Sequence, residues 1–282
     1  MRIFTNIVND VGELLPTLVG NRGSGAGEVL SDVVDQWSES NREWLKENTI
    51  KSIDLAINSG LKWIKVEAYV ARDNKVVISS SNVLDSGKSI IELDIFEIHQ
   101  LGLVCLEEVF EKIEESIGFI IEVKHIFEDL DGWGSTESIS KALIRDSILR
   151  PNRPIVAYGL ESSTALVMKH TIKEYPIQLG YSAYDGSDFV GMIISAKRFG
   201  LKVVIASVHS LVGERAKASM APYSLKEVID EAHADGLEIV VLTPTLEESG
   251  ILIEAGIDAM VIDNVPSMLI DLHLIREKIV KH

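Results

Sequence analysis

Two pairs of charged residues, each pair two positions apart, stand in largely apolar segments. Lys65 and Glu67 interrupt Lys62–Val70 (KWIKVEAYV), and Glu122 and Lys124 interrupt Gly118–Lys124 (GFIIEVK). In an extended strand, side chains alternate between faces, so each pair projects to one side. Buried charges need partners, and the alternating signs supply them. One reading is therefore a salt-bridged plug that takes no ligand. Elsewhere, Gly23-Ser24-Gly25-Ala26-Gly27 offers backbone N–H groups that could cradle a phosphate. It lacks the Gly-Lys-Ser/Thr of a P-loop and the spacing of a dinucleotide fingerprint, so a flexible loop is the plainer reading. Ser79-Ser80-Ser81 offers hydroxyls, but no histidine is near it in sequence, and a polar turn accounts for it. His209 follows a strand pattern and could reach a site, whereas His125 beside Lys124 is expected to face outward. His99, His170, His233, His273 and His282 fall at helix, loop or tail positions. Trp37, Trp44 and Trp133, in loop segments, could cap a ligand pocket or anchor a subunit contact.

The elements that must position these residues alternate in type. Strand patterns fall at Thr17–Asn21, Lys62–Val70, Gly118–Lys124, Pro154–Tyr158, Pro176–Tyr181, Lys202–Val208, Glu238–Thr243 and Ala259–Asp263. Helical patterns fall at Thr49–Asn58, Leu106–Ile117, Ser138–Ile148, Ser163–Glu174, Asp188–Phe199, Leu225–Ala234, Leu246–Glu254 and Ser267–Val280. Gly60, Gly118, Gly236 and Gly256 follow helical segments, as helix stops do. Near-continuous apolar strands, each followed by a helix, predict a parallel α/β sheet buried on both faces. Eight units fit a TIM-like (β/α)8 barrel, although an open doubly wound sheet shares the local pattern. No repeat or linker divides the chain, so one domain is expected over residues 1–282. Residues 23–46 and 75–105 stand outside the rhythm, and both fall where loops build barrel sites.

Bulk properties narrow the partners. With 282 residues and 46% hydrophobic content, the chain can bury a sizeable core. A net charge of −16 argues against nucleic acid or an anionic membrane surface as partner. Cys105 is the sole cysteine, which excludes an intrachain disulfide and fits a reducing compartment. No apolar run reaches ~18 residues and the N-terminal residues lack a leader pattern, so a cytoplasmic protein without membrane insertion is expected. A homo-oligomer is left open.

A family pattern overlies these residues. A strand ending Val19-Gly20-Asn21-Arg22-Gly23 precedes Glu47-Asn48-Thr49, a Gly60-to-Glu67 segment, Asp73-Asn74-Lys75 and Val76-Val77. Further on come GFIIEVK, Val240-Val241-Leu242-Thr243 and Gly256–Asp263 (GIDAMVID). The chain resembles the glycerophosphodiester phosphodiesterases over about residues 17–268. Their pattern runs His-Arg-Gly, Glu-Asn-Thr, Gly-Ala-Asp-x-Ile-Glu-x-Asp, Lys-Asp-Gly, then Val-Val-x-x-His-Asp. Against it, residues 23–46 look like an insertion in the first loop.

The resemblance implies a (β/α)8 barrel and, for the family, hydrolysis of a phosphodiester in lipid metabolism. Two histidines act there as acid and base around a divalent cation, Mg²⁺ or Ca²⁺, held by carboxylates. In this chain the histidine positions fall on Asn21 and Ser80, and the aspartate after the second falls on Ser81. The Glu-x-Asp metal pair falls on Lys65-Val66-Glu67, which leaves Glu67 and Glu122 as metal candidates. Neither Asn nor Ser shuttles protons near pH 7, and each lost acid or base is worth roughly 10²- to 10⁴-fold. Lys65 is then expected to take the cation's electrostatic place, paired with Glu67 and Glu122. Arg22, Lys124 and Lys65 are the candidate phosphate-binding residues. Three readings follow: a barrel that binds a phosphorylated small molecule without family-type hydrolysis, a phosphodiesterase with a rebuilt site, or a structural or regulatory subunit.

Overall fold

The structure is a computed structural model and describes residues 2–4, 7–8, 14–25, 46–124, 134–263, 265 and 268. All eight expected strands form. They are β1 (Thr17–Asn21), β2 (Trp63–Val70), β3 (Gly118–Val123) and β4 (Ile155–Tyr158), then β5 (Gln178–Ser182), β6 (Val203–Ser207), β7 (Glu238–Leu242) and β8 (Ala259–Ile262). Each pairs in parallel with the next, and β8 returns to β1 with Met260 opposite Leu18. That last pairing excludes the open-sheet alternative and closes a (β/α)8 barrel.

Seven of the expected helices lie among the described residues. They are α1 (Ile50–Asn58), α3 (Leu106–Lys112), α4 (Gly134–Leu149), α5 (Ser162–Ile172), α6 (Phe189–Phe199), α8 (Leu225–Ala234) and α9 (Leu246–Ala255). Two short helices, α2 (Ile95–Gln100) and α7 (Glu214–Met220), have no counterpart in the periodicity. The expected helix at Ser267–Val280 falls outside the described residues. Several starts are fixed by local chemistry. Ser224 and Thr245 cap α8 and α9, with Glu227 and Glu248 reaching back to the cap N–H groups. The α3 helix ends at Lys112 rather than Ile117. There the guanidinium of Arg153 takes the carbonyls of Phe110 and Ile113 at 2.8 and 2.9 Å.

Both faces of the barrel strands are buried, as their unbroken apolar runs require. The outer face packs under the helices, with Ile64, Val66, Phe119, Ile121, Ile239 and Val241 among its members. The interior is filled by Val19, Trp63, Ile120, Val156, Ile205 and Val261. Phe4 plugs the bottom against Trp63, with ring centroids 4.8 Å apart. Its strap is held by Glu238, whose carboxylate accepts from the N–H groups of Ile3 and Phe4 at 2.6 and 2.8 Å. Residues 75–105 form a compact excursion. Val76–Ile78 pairs antiparallel with β2 and with Val104–Cys105. Among the described residues, no helix is long and apolar enough to cross a membrane.

Candidate functional site

Register brings the charged residues together at the C-terminal end of the barrel. Asn21 lies opposite Lys65 across β1 and β2, Glu67 opposite Glu122 across β2 and β3, and Glu122 opposite Tyr158 across β3 and β4. Trp63, Lys65 and Glu67 share the inward face, so the apolar bottom layer gives way to a charged upper one. The Lys65 Nζ stands 3.0 Å from Glu67 Oε1 and 2.9 Å from Glu122 Oε2. Lys124 pairs with Glu122 and lies 3.9 Å from Glu67. Arg22 places Nε 2.8 Å from Glu67 Oε2, and its two terminal nitrogens donate to Glu67 Oε1 and Glu47 Oε2, each at 2.9 Å. The Tyr158 hydroxyl donates to Glu122 Oε2 at 2.9 Å. Three cations thus meet three carboxylates.

The turn after β1 aims Arg22. Its φ is 53°, and its carbonyl accepts from Asn48 N at 2.9 Å and from the Ser52 hydroxyl at 3.2 Å. Gly23 follows at φ 94°, with no room for a side chain, since an added Cβ would lie 2.4 Å from Ser52 Oγ. Thr49 caps α1 by accepting from Ser52 N, which holds Ser52 against that turn.

Electrostatics within the cluster are strong. Burial pushes the Glu122 carboxyl up, but Lys65 and Lys124 outweigh it and bring it down to about 2. Burial works against the charged Arg22 guanidinium, yet Glu67 and Glu47 raise its pKa above the ordinary value. Burial, followed by Glu67 and Glu122, pushes the Tyr69 hydroxyl up to about 12. Burial and then Glu122 hold the Tyr158 hydroxyl well above its usual range, so it stays a donor.

The other candidates are dispersed. The Asn21 amide donates to Asp263 Oδ1 at 2.8 Å, outside the cation cluster. Ser80 and Ser81 are exposed on a cleft of about 420 Å³ that also meets Glu47, Asn48 and Ser79. Both amide atoms of buried Asn48 lack a hydrogen-bond partner. His209 reaches the C-terminal rim, exposed, with Nδ1 3.1 Å from both oxygens of Asp185. Leu242 packs inside the barrel. His125, Trp37, Trp44 and Trp133, and Ala26 and Gly27 of the glycine-rich run, lie outside the described residues. Sequence reasoning missed Tyr158, Asp263, Asp185 and the pairing of Glu47 with Arg22. Tyr158 and Asp263 each close an apolar strand run at its C-terminal end, which was the available signal.

The family resemblance implies a divalent cation at this cluster. The carboxylates that would hold it are Glu67 and Glu122, and an ammonium already stands within hydrogen-bond distance of both. At ~4 Å and an effective dielectric of about 20, the ammonium opposes an ion by roughly 4 kcal/mol per unit of its charge, about 8 kcal/mol for a divalent one. These residues do not fit Mg²⁺ or Ca²⁺.

Fold and site together define a (β/α)8 barrel with a charged constellation at the C-terminal mouth. The sequence model of the glycerophosphoryl diester phosphodiesterase family matches residues 38–267, and the chain belongs to that family. Solved structures agree on the fold. A Thermotoga maritima glycerophosphodiester phosphodiesterase is 18% identical with a TM-score of 0.65, over 90% of this chain and 97% of that one. An Oleispira antarctica phosphodiesterase, solved with its product sn-glycerol-3-phosphate, is 16% identical with a TM-score of 0.68, over 92% and 97%. A Galdieria sulphuraria protein assigned to the same activity is 17% identical with a TM-score of 0.69, over 92% and 98%. No curated protein matches the chain by sequence.

Proposed function

We propose that this phosphodiesterase-like barrel does not run its family's metal-dependent hydrolysis and instead binds a phosphorylated small molecule at its mouth. The observation that carries the reading is the Lys65 ammonium seated 3.0 and 2.9 Å from Glu67 and Glu122. It places a positive charge between the carboxylates that would otherwise hold a metal. The positions expected to move protons hold Asn21, bonded to Asp263, and exposed Ser80. Arg22 and Lys124 support the binding half. Their side chains are 28% and 24% exposed, whereas Lys65 is 6% exposed, so these two present their charge to solvent. Each keeps N–H groups beyond those given to carboxylates, and a phosphate ester can take them.

A second reading, a structural or regulatory barrel with a closed mouth, is favoured by the neutrality of the cluster, in which Glu47, Glu67 and Glu122 balance Arg22, Lys65 and Lys124.

Two assays separate the readings. Hydrolysis of a glycerophosphodiester panel is expected to be silent with Mg²⁺, with Ca²⁺ and with chelator alike. Calorimetric titration with sn-glycerol-3-phosphate is expected to show binding that weakens with salt and in Arg22→Gln. Metal-dependent turnover by the unmodified chain overturns the non-hydrolytic half. Silence in both assays leaves the closed-mouth reading.

A further inference from the structure

Away from the mouth, three side chains with metal-binding donors converge on the 75–105 excursion. His99 lies in the last turn of α2, Cys105 precedes α3 and Glu108 lies in its first turn. The imidazole, thiol and carboxylate donor atoms all lie within 4.8 Å of one another. His99 Nε2 and Glu108 Oε2 are 3.0 Å apart, and the same oxygen accepts from Cys105 N at 2.8 Å. Cys105 is buried, whereas His99 and Glu108 keep 46% and 38% exposure, so an ion can approach from the solvent side.

We infer that His99, Cys105 and Glu108 form a binding site for one Zn²⁺ ion, separate from the barrel mouth. Nitrogen, sulfur and oxygen donors together suit a borderline-soft cation over Mg²⁺ or Ca²⁺. Zinc bonds of about 2.0–2.3 Å set donor separations of about 3.3–3.6 Å at tetrahedral geometry. The His99–Glu108 pair, at 3.0 Å, need open by only a few tenths of an ångström, and the half-exposed side chains can turn the remaining ångström or so toward the anchored sulfur. Three protein donors leave the fourth position to water. Bound there, the ion joins the end of α2 to the start of α3. Other charges face the thiol as well. Glu107, Lys75 and Asp73 surround Cys105, and Lys112 lies near Glu108. Glu107 is itself paired with Arg145. With Glu108 the set therefore holds three carboxylates against two ammonium groups and a guanidinium, and the case for the ion rests on the donor geometry.

The competing account is purely structural, a helix cap joined to a surface ion pair. Cys105→Ser separates the two, because serine is a preferred cap residue and keeps the fold while removing the thiolate. The full chain, reduced and stripped of metal, would be titrated with Co²⁺ and then competed with Zn²⁺. One equivalent is expected, with a thiolate-to-cobalt charge-transfer band in the near ultraviolet. Cys105 is the chain's sole thiol, so the band has one source. The band is expected to vanish in Cys105→Ser, and affinity to fall at least tenfold in His99→Ala and Glu108→Gln. Saturating Zn²⁺ is expected to raise Tm by about 3–5 °C in the unmodified chain and not in Cys105→Ser. Absence of the band, or the same zinc response in Cys105→Ser, overturns the site. Neither result depends on the function proposed for the mouth.

Discussion

Lys65 sits where two carboxylates converge, and its removal tests what the ammonium does. In Lys65→Met, Glu67 and Glu122 keep Arg22 and Lys124 but lose the cation between them. Breaking a buried ion pair costs about 3–5 kcal/mol, and the remaining partners place this case near the lower end. The vacated position should also admit a divalent cation. Urea unfolding of Lys65→Met is therefore expected to show that loss, partly recovered in millimolar Ca²⁺, whereas the unmodified chain does not respond. A calcium-insensitive variant would count against Lys65 as the charge partner. Glu122 makes the companion prediction for pH. Its folded pKa of about 2 lies below the unconstrained 4.5, so the folded state binds that proton less tightly. Its contribution is fully present above about pH 4.5 and is lost as pH falls toward 2, a change of order 3 kcal/mol. Unfolding free energies at pH 7, 4.5 and 3 should show the fall, and Glu122→Gln should flatten it.

At the scale of elements, one guanidinium organises the junction of α3, α4 and β4. Arg153 has a fully buried side chain, lies 3.3 Å from Asp146 of α4, and donates to the carbonyls of Phe110 and Ile113. Its plane also lies over the rings of Phe110 and Phe119, 4.9 and 5.5 Å from their centroids. Arg153→Met keeps much of the bulk but leaves two helix-end carbonyls unpaired and Asp146 with Arg150 alone. The expected loss is about 3 kcal/mol. Amide hydrogen exchange over residues 106–117 should accelerate more than exchange in β6 and β7. Uniform acceleration would mean that Arg153 supports the barrel as a whole rather than this junction. The helix end belongs to this scale too. The pattern from Leu106 to Ile117 reads as one helix because nothing local stops it at Lys112, and the residue that takes its end carbonyls is about forty positions away.

For the whole molecule, closure is the decisive event. The β1–β8 pairing joins the first and last barrel strands, and the strap at Ile3–Phe4 seals the interior from below. Phe4 is fully buried on Trp63, so Phe4→Ala should cost about 3–5 kcal/mol and lower Tm in a single transition. The charged mouth stands at the other end, so the sn-glycerol-3-phosphate binding proposed above should be unchanged at low temperature. A second transition would show that the strap folds apart from the barrel.

Strand positions, their inward faces and the burial of Lys65, Glu67 and Glu122 were all readable from the sequence. Alternation and apolar runs are local properties, and a charge within such a run must meet a partner. The choice of barrel over open sheet was not local, because it rests on hydrogen bonds between Ala259–Ile262 and Thr17–Gly20. The partners were not local either. Asp263 meets Asn21 only because β8 returns to β1, and Tyr158 meets Glu122 only because β4 lies beside β3 in that register. Residue types and spacing determined which groups would be buried together. Ring closure and strand register, which exist only in the folded chain, decided which atoms touch.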